Sequence, residues 1–234
     1  MKKLGIIGAM EIEVAILKSK LENAKVTKVG PMEFYEGRLA GLDVVIVMCG
    51  VGKVHAAMCT QVLCAQFQVT HIVNTGVAGS LDAQLDICDV LVSTDAIQHD
   101  MDVTHLGYDV GKVPGLDVQA FPADEKLMKY AFEASEALRP GHTKLGRVAT
   151  GDQFVSSKAQ KAQIIAHTAA KCTEMEGGAI AQVAYVNQVP FVILRAISDK
   201  ADDSADMDYP TFEKLAARNC AAVTEALAAR LAAE

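Results

Sequence analysis

The chain has 234 residues, of which 51% are hydrophobic and 22% are charged. This length and composition allow a sizeable core within one domain, residues 1–234, and exclude wholesale disorder. The formal net charge is −7 and no run of lysine and arginine breaks the acidic balance, so a nucleic-acid partner is disfavoured. Tryptophan is absent and aromatic residues make up 5%, which disfavours a binding surface built from aromatic platforms.

The cysteines and the N-terminal segment both favour a cytoplasmic location. The six cysteines form no C-x-x-C pair and lie mostly in apolar runs such as VIVMCG, as expected of buried thiols in a reducing compartment. The apolar run at residues 4–10 ends at Glu11, which makes it too short for an export signal. No segment approaches the ~18 apolar residues of a membrane span, so we expect no membrane partner.

Short apolar runs rich in β-branched residues alternate with longer helical patterns. Strands are predicted at residues 4–8, 44–49, 71–75, 90–93, 147–150 and 191–197, with 34–40 as the first arm of a hairpin into 44–49. Helices are predicted at residues 11–21, 53–66, 124–138, 157–166, 177–187 and 211–233, and long loops at 95–122 and 199–210. Because continuously apolar strands are buried on both faces, the pattern predicts a layered α/β fold.

Two glycine-containing motifs follow predicted strands. GAMEIE at residues 8–13 places Glu11 and Glu13 at a helix start, where the macrodipole favours acids and where a ligand can approach Gly8. A phosphate cradle is disfavoured there, since G-x-G-x-x-G is absent and two carboxylates would repel a phosphate. NTGVAG at residues 74–79 fits either a backbone wall against a flat ligand or a plain glycine-rich turn.

Two further motifs bring carboxylates to strand ends. TEMEG at residues 173–177 places Glu176 in the first turn of a helix, where it is either a functional group or an acid favoured by the dipole. RAISD at residues 195–199 closes the most apolar strand, and a buried Arg195 is costly there unless it is paired or used. Asp199 is the best single candidate for a perturbed carboxyl group, with helix capping as the alternative.

Two acidic segments imitate metal sites. The segment HDMDVTH brings His99, Asp100, Asp102 and His105 close together in sequence, but it lacks a helical His-x-x-x-His context. The run at residues 202–208 lacks the central glycine and terminal glutamate of an EF-hand loop. We therefore expect no metal and no cofactor.

Three carboxylates, Glu13, Glu176 and Asp199, are thus predicted near the ends of three different strands. Several acids around one pocket, without a metal or nucleophile motif, favour acid–base hydrolysis. Cleavage of a glycosidic bond fits this set, because its transition state is cationic and its leaving group needs a proton.

Seven segments, in order along nearly the whole chain, resemble the bacterial 5′-methylthioadenosine/S-adenosylhomocysteine nucleosidases of the nucleoside phosphorylase superfamily. They are GIIGAMEIEV, CGVGKVHAA, NTGVAGSL, HDMDVTHLGY, VATGDQFV, TEMEGGAIAQV and RAISDKAD. The resemblance implies a three-layer α/β/α fold around a twisted mixed sheet, and a homodimer. It also implies release of adenine from 5′-methylthioadenosine and S-adenosylhomocysteine, with 5′-deoxyadenosine as a further substrate, in methionine salvage and methyl-cycle detoxification.

The same resemblance implies residue roles. Glu13 matches the base that activates water, Asp199 the acid that protonates N7 of adenine, and Glu176 the carboxylate that holds the ribose hydroxyls. The remaining binding positions are expected at Met10, Val51, Val77, Ala78, Gly79, Phe154, Val155, Met175, Arg195, Ser198 and Tyr209. Val103, Leu106 and Pro114 match positions that reach the active site of the neighbouring subunit.

Two departures and three alternatives accompany this resemblance. Val77 stands where many relatives have serine, and Leu106 where an aromatic residue is common, which puts individual side-chain contacts in doubt but not the reaction class. The alternatives are a nucleoside phosphorylase, a nucleosidase for another substrate such as 6-amino-6-deoxyfutalosine, and a non-catalytic nucleoside-binding protein.

Overall fold

The computed structural model describes residues 2–234, apart from the side chains at positions 206 and 207. The strands are β1 (Lys3–Gly8), β2 (Glu22–Val29), β3 (Met32–Leu39), β4 (Leu42–Met48), β5 (His71–Ser80), β6 (Val90–Gln98), β7 (Phe121–Pro122), β8 (Thr143–Thr150), β9 (Cys172–Glu174) and β10 (Phe191–Asp199). The helices are α1 (Glu11–Ser19), α2 (Lys53–Ala65), α3 (Glu125–Leu138), α4 (Lys158–Thr168), α5 (Gly177–Val186) and α6 (Ala205–Ala232), and Thr104–Leu106 form a 3₁₀ turn.

All the strands belong to one mixed sheet. β1 runs parallel to both β4 and β5, and β4, β3 and β2 continue outward as an antiparallel meander. On the other side of β1 the sheet curls on itself, since β5 pairs with β10 and with β9, and β6 and β8 link those two strands into a closed ring. The closed ring protects edges that an open sheet would expose, and the carboxyl ends of β1, β5 and β10 lie side by side.

Helices cover the sheet on two faces. α1, α3 and α6 pack together over a core that contains Leu4, Val44 and Leu194, whereas α2 and α5 pack over a core that contains Ile7, Val45 and Ile193. Successive strand residues point to opposite faces, so these continuously apolar strands bury both. The predicted three-layer α/β/α arrangement is confirmed. Among residues 2–234, no helix has both the length and the apolar character needed to cross a bilayer.

The prediction missed β2 and the two-residue β7, gave no bounds for β9, and shortened several strands. β2 is an exposed edge strand whose Val26 is half exposed, so it carries almost no buried alternation for a sequence pattern to reveal. β5 continues through the whole NTGVAG motif to Ser80, and β10 continues to Asp199, so the glycine-rich turn interpretation of residues 74–79 is wrong. α6 begins at Ala205, before Pro210, whereas the sequence pattern began it at Thr211.

Candidate active site

A cleft of about 210 Å³ opens where the carboxyl ends of β1, β5 and β10 meet the first turns of α6. The structure brings every residue predicted to catalyse or bind to the lining of this cleft: Met10, Glu13, Val51, Val77, Ala78, Gly79, Phe154, Val155, Met175, Glu176, Arg195, Ser198, Asp199 and Tyr209. A cleft with an apolar wall and convergent buried carboxyl groups is the usual form of a small-molecule site.

Glu13 is buried at the floor of the cleft. Its Oε2 accepts hydrogen bonds from the backbone N–H groups of Ala9 (2.7 Å) and Met10 (2.9 Å), and its Oε1 accepts one from Val77 (3.0 Å). Burial raises the pKa of Glu13, while Arg195 and the three N–H donors oppose that rise. Glu13 therefore fastens the start of α1 and also presents a carboxylate of enhanced basicity to the cleft.

Arg195 lies at the centre of the buried charges, with 1% of its side chain surface exposed. Its guanidinium donates to Glu174 and to Asn74, and it lies 3.7 Å from Glu176. Burial works to lower the pKa of Arg195, but Glu174, Glu176 and Glu13 together raise it. The guanidinium thus neutralises part of the negative charge of three carboxylates, which a dry site requires.

Glu176 immediately precedes α5, and its side chain lines the cleft. Its Oε1 accepts the backbone N–H of Gly52 at 2.8 Å. Burial and the neighbouring Glu174 raise the pKa of Glu176 to about 7, although Arg195 and Gly52 act in the other direction. Glu176 is the N-cap residue of α5 and makes no capping hydrogen bond with its side chain, so its carboxylate is not committed to the helix start.

Asp199 ends β10 and is also buried. Its Oδ2 accepts the hydroxyl of Ser198 at 2.9 Å, and its Oδ1 accepts the backbone N–H of Ala201 at 2.8 Å. Burial raises the pKa of Asp199, with Asp208 and Asp202 adding to the rise against these two hydrogen bonds. A carboxyl group that retains its proton to higher pH can serve as an acid.

Aromatic and thioether side chains form the mouth of the cleft. Phe154 and Tyr209 meet edge to face, with ring centroids 5.7 Å apart and an interplanar angle of 81°. The Tyr209 hydroxyl lies 3.3 Å from Sδ of Met10, and Phe154 remains 46% exposed. An exposed aromatic face beside an apolar pocket is suited to stacking against a flat ligand.

The glycines of β5 make room for these groups. A Cβ on Gly76 would collide with the Arg195 guanidinium and the Glu13 carboxylate. A Cβ on Gly79 would lie 2.7 Å from Oδ1 of Asp199. Only a residue without a side chain lets the backbone of β5 pass so close to the buried charges.

Four lining residues were not predicted: Ala9, Gln153, Thr173 and Glu174. Glu174 accepts hydrogen bonds from Arg195 and Thr150 and from the backbone N–H groups of Glu176 and Gly177. TEMEG contains two glutamates, and the motif itself offered Glu174 as well as Glu176, but nothing in the spacing separates their roles. The hydroxyl of Thr173 is buried in the described part of the chain without a hydrogen-bond partner.

The residues predicted to reach a neighbouring subunit lie apart from this lining. Val103, Leu106 and Pro114 belong to the long connection between β6 and β7, and the Leu106 side chain is 72% exposed. That connection is shorter than predicted, because β6 runs to Gln98 and β7 pairs with it. Apart from the side chains at positions 206 and 207, those of residues 2–234 form no group of three or more His, Cys, Asp or Glu that could hold a metal ion.

Comparison with known proteins identifies the family. The model of the phosphorylase superfamily matches residues 3–229. A 5′-methylthioadenosine/S-adenosylhomocysteine nucleosidase of Psychromonas ingrahamii is 42% identical over 226 residues, which cover 95% of this chain and 96% of the relative. The chain belongs to this nucleosidase family of the phosphorylase superfamily.

Solved structures agree with this assignment. The nucleosidase of Neisseria meningitidis, in complex with methylthio-immucillin-A, has a TM-score of 0.95 and 38% identity, covering 98% of this chain and all of that one. The futalosine hydrolase of Helicobacter pylori has a TM-score of 0.91 and 32% identity, covering 97% of each chain. One fold therefore carries at least two differently named hydrolases, so family membership alone does not determine which 5′ substituent the substrate has.

Proposed function

We propose that this nucleosidase hydrolyses the N-glycosidic bond of 5′-methylthioadenosine and S-adenosylhomocysteine, releasing adenine and the 5-substituted ribose. The observation that carries the proposal is the convergence of Glu13, Glu176 and Asp199, from three separate segments, on one buried cleft. The names of the relatives and the nucleoside analogue bound by the Neisseria protein support the same substrates.

Glu13 is the proposed base. It lies on the floor of the cleft beside Arg195 and its raised pKa makes it a better proton acceptor than an exposed glutamate, while its N–H donors favour the ionised form. A water molecule between Glu13 and the sugar would lose a proton to Glu13 as its oxygen bonds to C1′. The proton then resides on the carboxylate, and the electron pair of the glycosidic bond departs with the adenine.

Asp199 is the proposed acid. The adenine anion is a poor leaving group, so N7 must accept a proton while the bond to C1′ breaks. The raised pKa of Asp199 keeps a proton available to higher pH, and the Ser198 hydroxyl at 2.9 Å fixes the orientation of the carboxyl group. The backbone of Val155 and the rings of Phe154 and Tyr209 would hold the purine and the 5′ substituent in place.

Glu176 and Met175 are the proposed sugar contacts. Positive charge develops on the ribose ring in the transition state, and the nearby carboxylates Glu176 and Glu174 stabilise it electrostatically. A carboxylate that accepts hydrogen bonds from ribose hydroxyls also orients the ring. The raised pKa of Glu176 is compatible with this role, since a ligand hydroxyl donor favours the ionised form of the carboxyl group.

The buried charges favour water over phosphate as the attacking group. Three carboxylates, Glu13, Glu174 and Glu176, surround a single guanidinium, Arg195. A phosphate dianion placed against Glu13 would meet more negative than positive charge in a dry environment, where repulsion is strong. The phosphorylase alternative therefore ranks below hydrolysis.

A futalosine-type substrate is the second candidate, because the Helicobacter futalosine hydrolase shares the fold at 32% identity. For 6-amino-6-deoxyfutalosine, which is also an adenine nucleoside, the glycosidic cleavage is the same and only the 5′ substituent differs. The choice depends on the mouth formed by Met10, Phe154 and Tyr209, where an apolar alkylthio group finds thioether and aromatic surface.

The test is adenine release by purified protein. The protein is mixed with 5′-methylthioadenosine, S-adenosylhomocysteine, 5′-deoxyadenosine or 6-amino-6-deoxyfutalosine, with and without phosphate, and free adenine is followed by chromatography. We expect release from the first two without phosphate. Release that requires phosphate would instead identify a phosphorylase, and binding of adenine without turnover of any nucleoside would identify a binding protein.

Two further parts of the proposal concern assembly and location. We infer a homodimer from apolar side chains that are exposed in the single chain. Val54 and Leu106 are about 70% exposed, and Val51 and Met58 are about half exposed. Burial of such apolar side chains against a second subunit would remove them from water. The expected contacts are Val103, Leu106 and Pro114 at the partner's cleft. We also propose a cytoplasmic location, which is supported by the six free cysteines, five of them buried, because such thiols suit a reducing compartment.

A further inference from the structure

Three chain segments meet at one side of the cleft, and two of them carry part of its lining. The segment before α2 carries Val51 and Gly52, the segment after β8 carries Phe154 and Val155, and the segment after β6 carries Asp100. The first two segments touch the proposed substrate site directly. Asp100 does not line the cleft, yet it joins the other two segments.

Asp100 is bonded on both of its carboxylate oxygens. Its Oδ1 lies 2.7 Å from Nζ of Lys53, and its Oδ2 accepts the backbone N–H of Asp152 at 3.0 Å. Lys53 also donates from Nζ to the side chain of Gln98 at 3.2 Å. Although burial works to raise it, the Lys53 and Asp152 contacts lower the pKa of Asp100.

A second hydrogen bond connects Asp152 directly to Lys53. The Oδ1 of Asp152 accepts the backbone N–H of Lys53 at 2.8 Å, across 99 positions of sequence. The N-cap residue of α2 is Gly52, which has no side chain to cap the helix, so Asp152 supplies the capping carboxylate from a different segment. We call Lys53, Asp100 and Asp152 together the clamp.

The clamp ends one residue from a proposed catalytic contact. The backbone N–H of Gly52, which donates to Oε1 of Glu176 at 2.8 Å, precedes the N–H of Lys53 that Asp152 holds. Gly52 has a φ of +97°, in the region that disfavours other residues, and a Cβ there would lie 3.1 Å from Oδ1 of Asp152. The backbone is therefore held in a special conformation at the point where it meets Glu176.

The burial of the ion pair gives the clamp rigidity. The side chains of Lys53 and Asp100 are 19% and 18% exposed. Because the pair is mostly buried, solvent and salt screen its attraction less than that of a surface pair. Charge-assisted hydrogen bonds tie the three segments together and restrict the positions of their backbone groups more than packing alone would. Small displacements of groups that contact a reacting substrate lower the rate steeply.

We propose that Lys53 and Asp100 are positioning residues of this nucleosidase, which fix the Gly52 N–H against Glu176 and the Phe154 segment against the purine. The inference rests on the proposed function, because it assigns the clamp to the glycosidic reaction. It also gives a role to Asp100 of the HDMDVTH segment, whose carboxylate binds Lys53 and the backbone N–H of Asp152 rather than a metal.

The experiment uses Lys53→Met, Asp100→Asn and the double variant in the full-length protein. Rates of adenine release from 5′-methylthioadenosine are divided by the concentration of active sites, titrated with methylthio-immucillin-A, so that loss of folded protein does not count as loss of rate. We expect each single variant to lower kcat about 10–100-fold per titrated site. We expect the double variant to lose no more than the more severe single variant, because both substitutions break one contact.

The ion pair between Lys3, at the amino end of β1, and Glu36 of β3 provides a matched control away from the cleft. Lys3 and Glu36 lie 3.0 Å apart with side chains 28% and 26% exposed, far along the sheet from Glu13. Lys3→Met and Glu36→Gln are expected to change the thermal midpoint by an amount similar to the clamp variants and to leave kcat per site unchanged. An equal fall of kcat in this pair would overturn the proposal.

The remaining outcomes separate the clamp from the proposed function. Wild-type protein that releases no adenine from any nucleoside overturns both. An active wild type whose Lys53 and Asp100 variants keep the full rate per site overturns the clamp alone. Losses in the double variant that equal the product of the two single losses also overturn it, since the residues would then act independently.

Discussion

The backbone N–H of Val77 donates to Oε1 of Glu13 at 3.0 Å and so joins the carboxyl end of β5 to the first turn of α1. The other oxygen of Glu13 accepts the N–H of Met10, the N-cap residue of that helix. The two interpretations of Glu13, helix-start acid and catalytic base, are therefore not exclusive. One carboxylate shapes the corner of the cleft and remains in contact with it.

Glu13→Gln tests the base. An amide cannot take a proton from water, so hydrolysis should fall by about 10²–10⁴-fold. The amide also replaces one acceptor oxygen by a donor opposite backbone N–H groups, which costs about 1–3 kcal/mol and lowers the thermal midpoint by several degrees. Turnover of 5′-methylthioadenosine and the midpoint are measured together.

Glu11→Gln is the matched control for Glu13. Glu11 lies in the same helical turn, but its carboxylate is exposed and pairs with Lys18 at 2.7 Å. We expect unchanged turnover and a small change in midpoint, because exposed pairs contribute about 0–1 kcal/mol. Near-normal turnover in Glu13→Gln would require another group to activate water.

Asp199→Asn tests the acid. The amide of this variant has no proton to give to N7, so adenine release should fall by about 10²–10⁴-fold. A ribosyl substrate whose leaving group departs without protonation should be hydrolysed at a rate much closer to that of the wild type. Since Asp199 acts in its protonated form, activity of the wild type should decline as pH rises through its raised pKa. Equal losses on both substrates would assign Asp199 to binding.

Much of this site could be predicted from the sequence, because each motif lies at or just after the carboxyl end of a strand. Carboxyl ends of neighbouring parallel strands meet at one edge, so Glu13 and Asp199 come together once β1, β5 and β10 are adjacent. The layered fold could also be predicted, because continuously apolar strands alternate with helical patterns along the chain. The substrate residues came from the resemblance, since residue spacing alone does not distinguish a purine wall from a turn.

What the sequence did not reveal depends on contacts between distant segments. β2 was not predicted because an exposed edge strand buries no face, and its sequence therefore needs no regular alternation of apolar and polar residues. The ring closed by β9 and β5 involves only two paired residues on each strand, Gly79 with Thr173 and Ser80 with Cys172. The role of Asp100 needs three segments to be placed at once, and one-dimensional patterns do not carry that information.

Gly76→Ala tests the crowding at β5. The new Cβ would meet both the Arg195 guanidinium and the Glu13 carboxylate, so either the strand or these two side chains must move. Overpacking of this kind costs about 1–3 kcal/mol, and the displacement of Glu13 should lower turnover at least tenfold. Gly5→Ala on β1 is the control, since the nearest atoms to its Cβ would be apolar, on Leu63 at 3.2 Å and Val69 at 3.4 Å. Full activity in Gly76→Ala would mean that the charges tolerate displacement.

Leu106→Asp tests the dimer. Leu106 is 72% exposed in the single chain, so a charge there costs nothing in a monomer but would be buried without a partner at an apolar interface. We expect the wild type to sediment as a dimer at micromolar concentration and the variant to dissociate, with lower activity. Sedimentation velocity decides the matter, and an active wild-type monomer at that concentration would contradict the proposed assembly.

Glu176→Gln tests the buried charge through the pH dependence of stability. Burial and Glu174 raise the pKa of Glu176 from 4.5 to about 7, so between these values the folded chain holds a proton that the unfolded chain has lost. The free energy of unfolding contributed by this group therefore falls as pH rises from about 4.5 to about 7 and is level above. Glutamine does not titrate, so the midpoint of the variant, measured relative to the wild type by calorimetry from pH 4.5 to 8, should rise across that interval. A constant difference would show that Glu176 is ionised throughout, with Arg195 and the Gly52 N–H outweighing its burial.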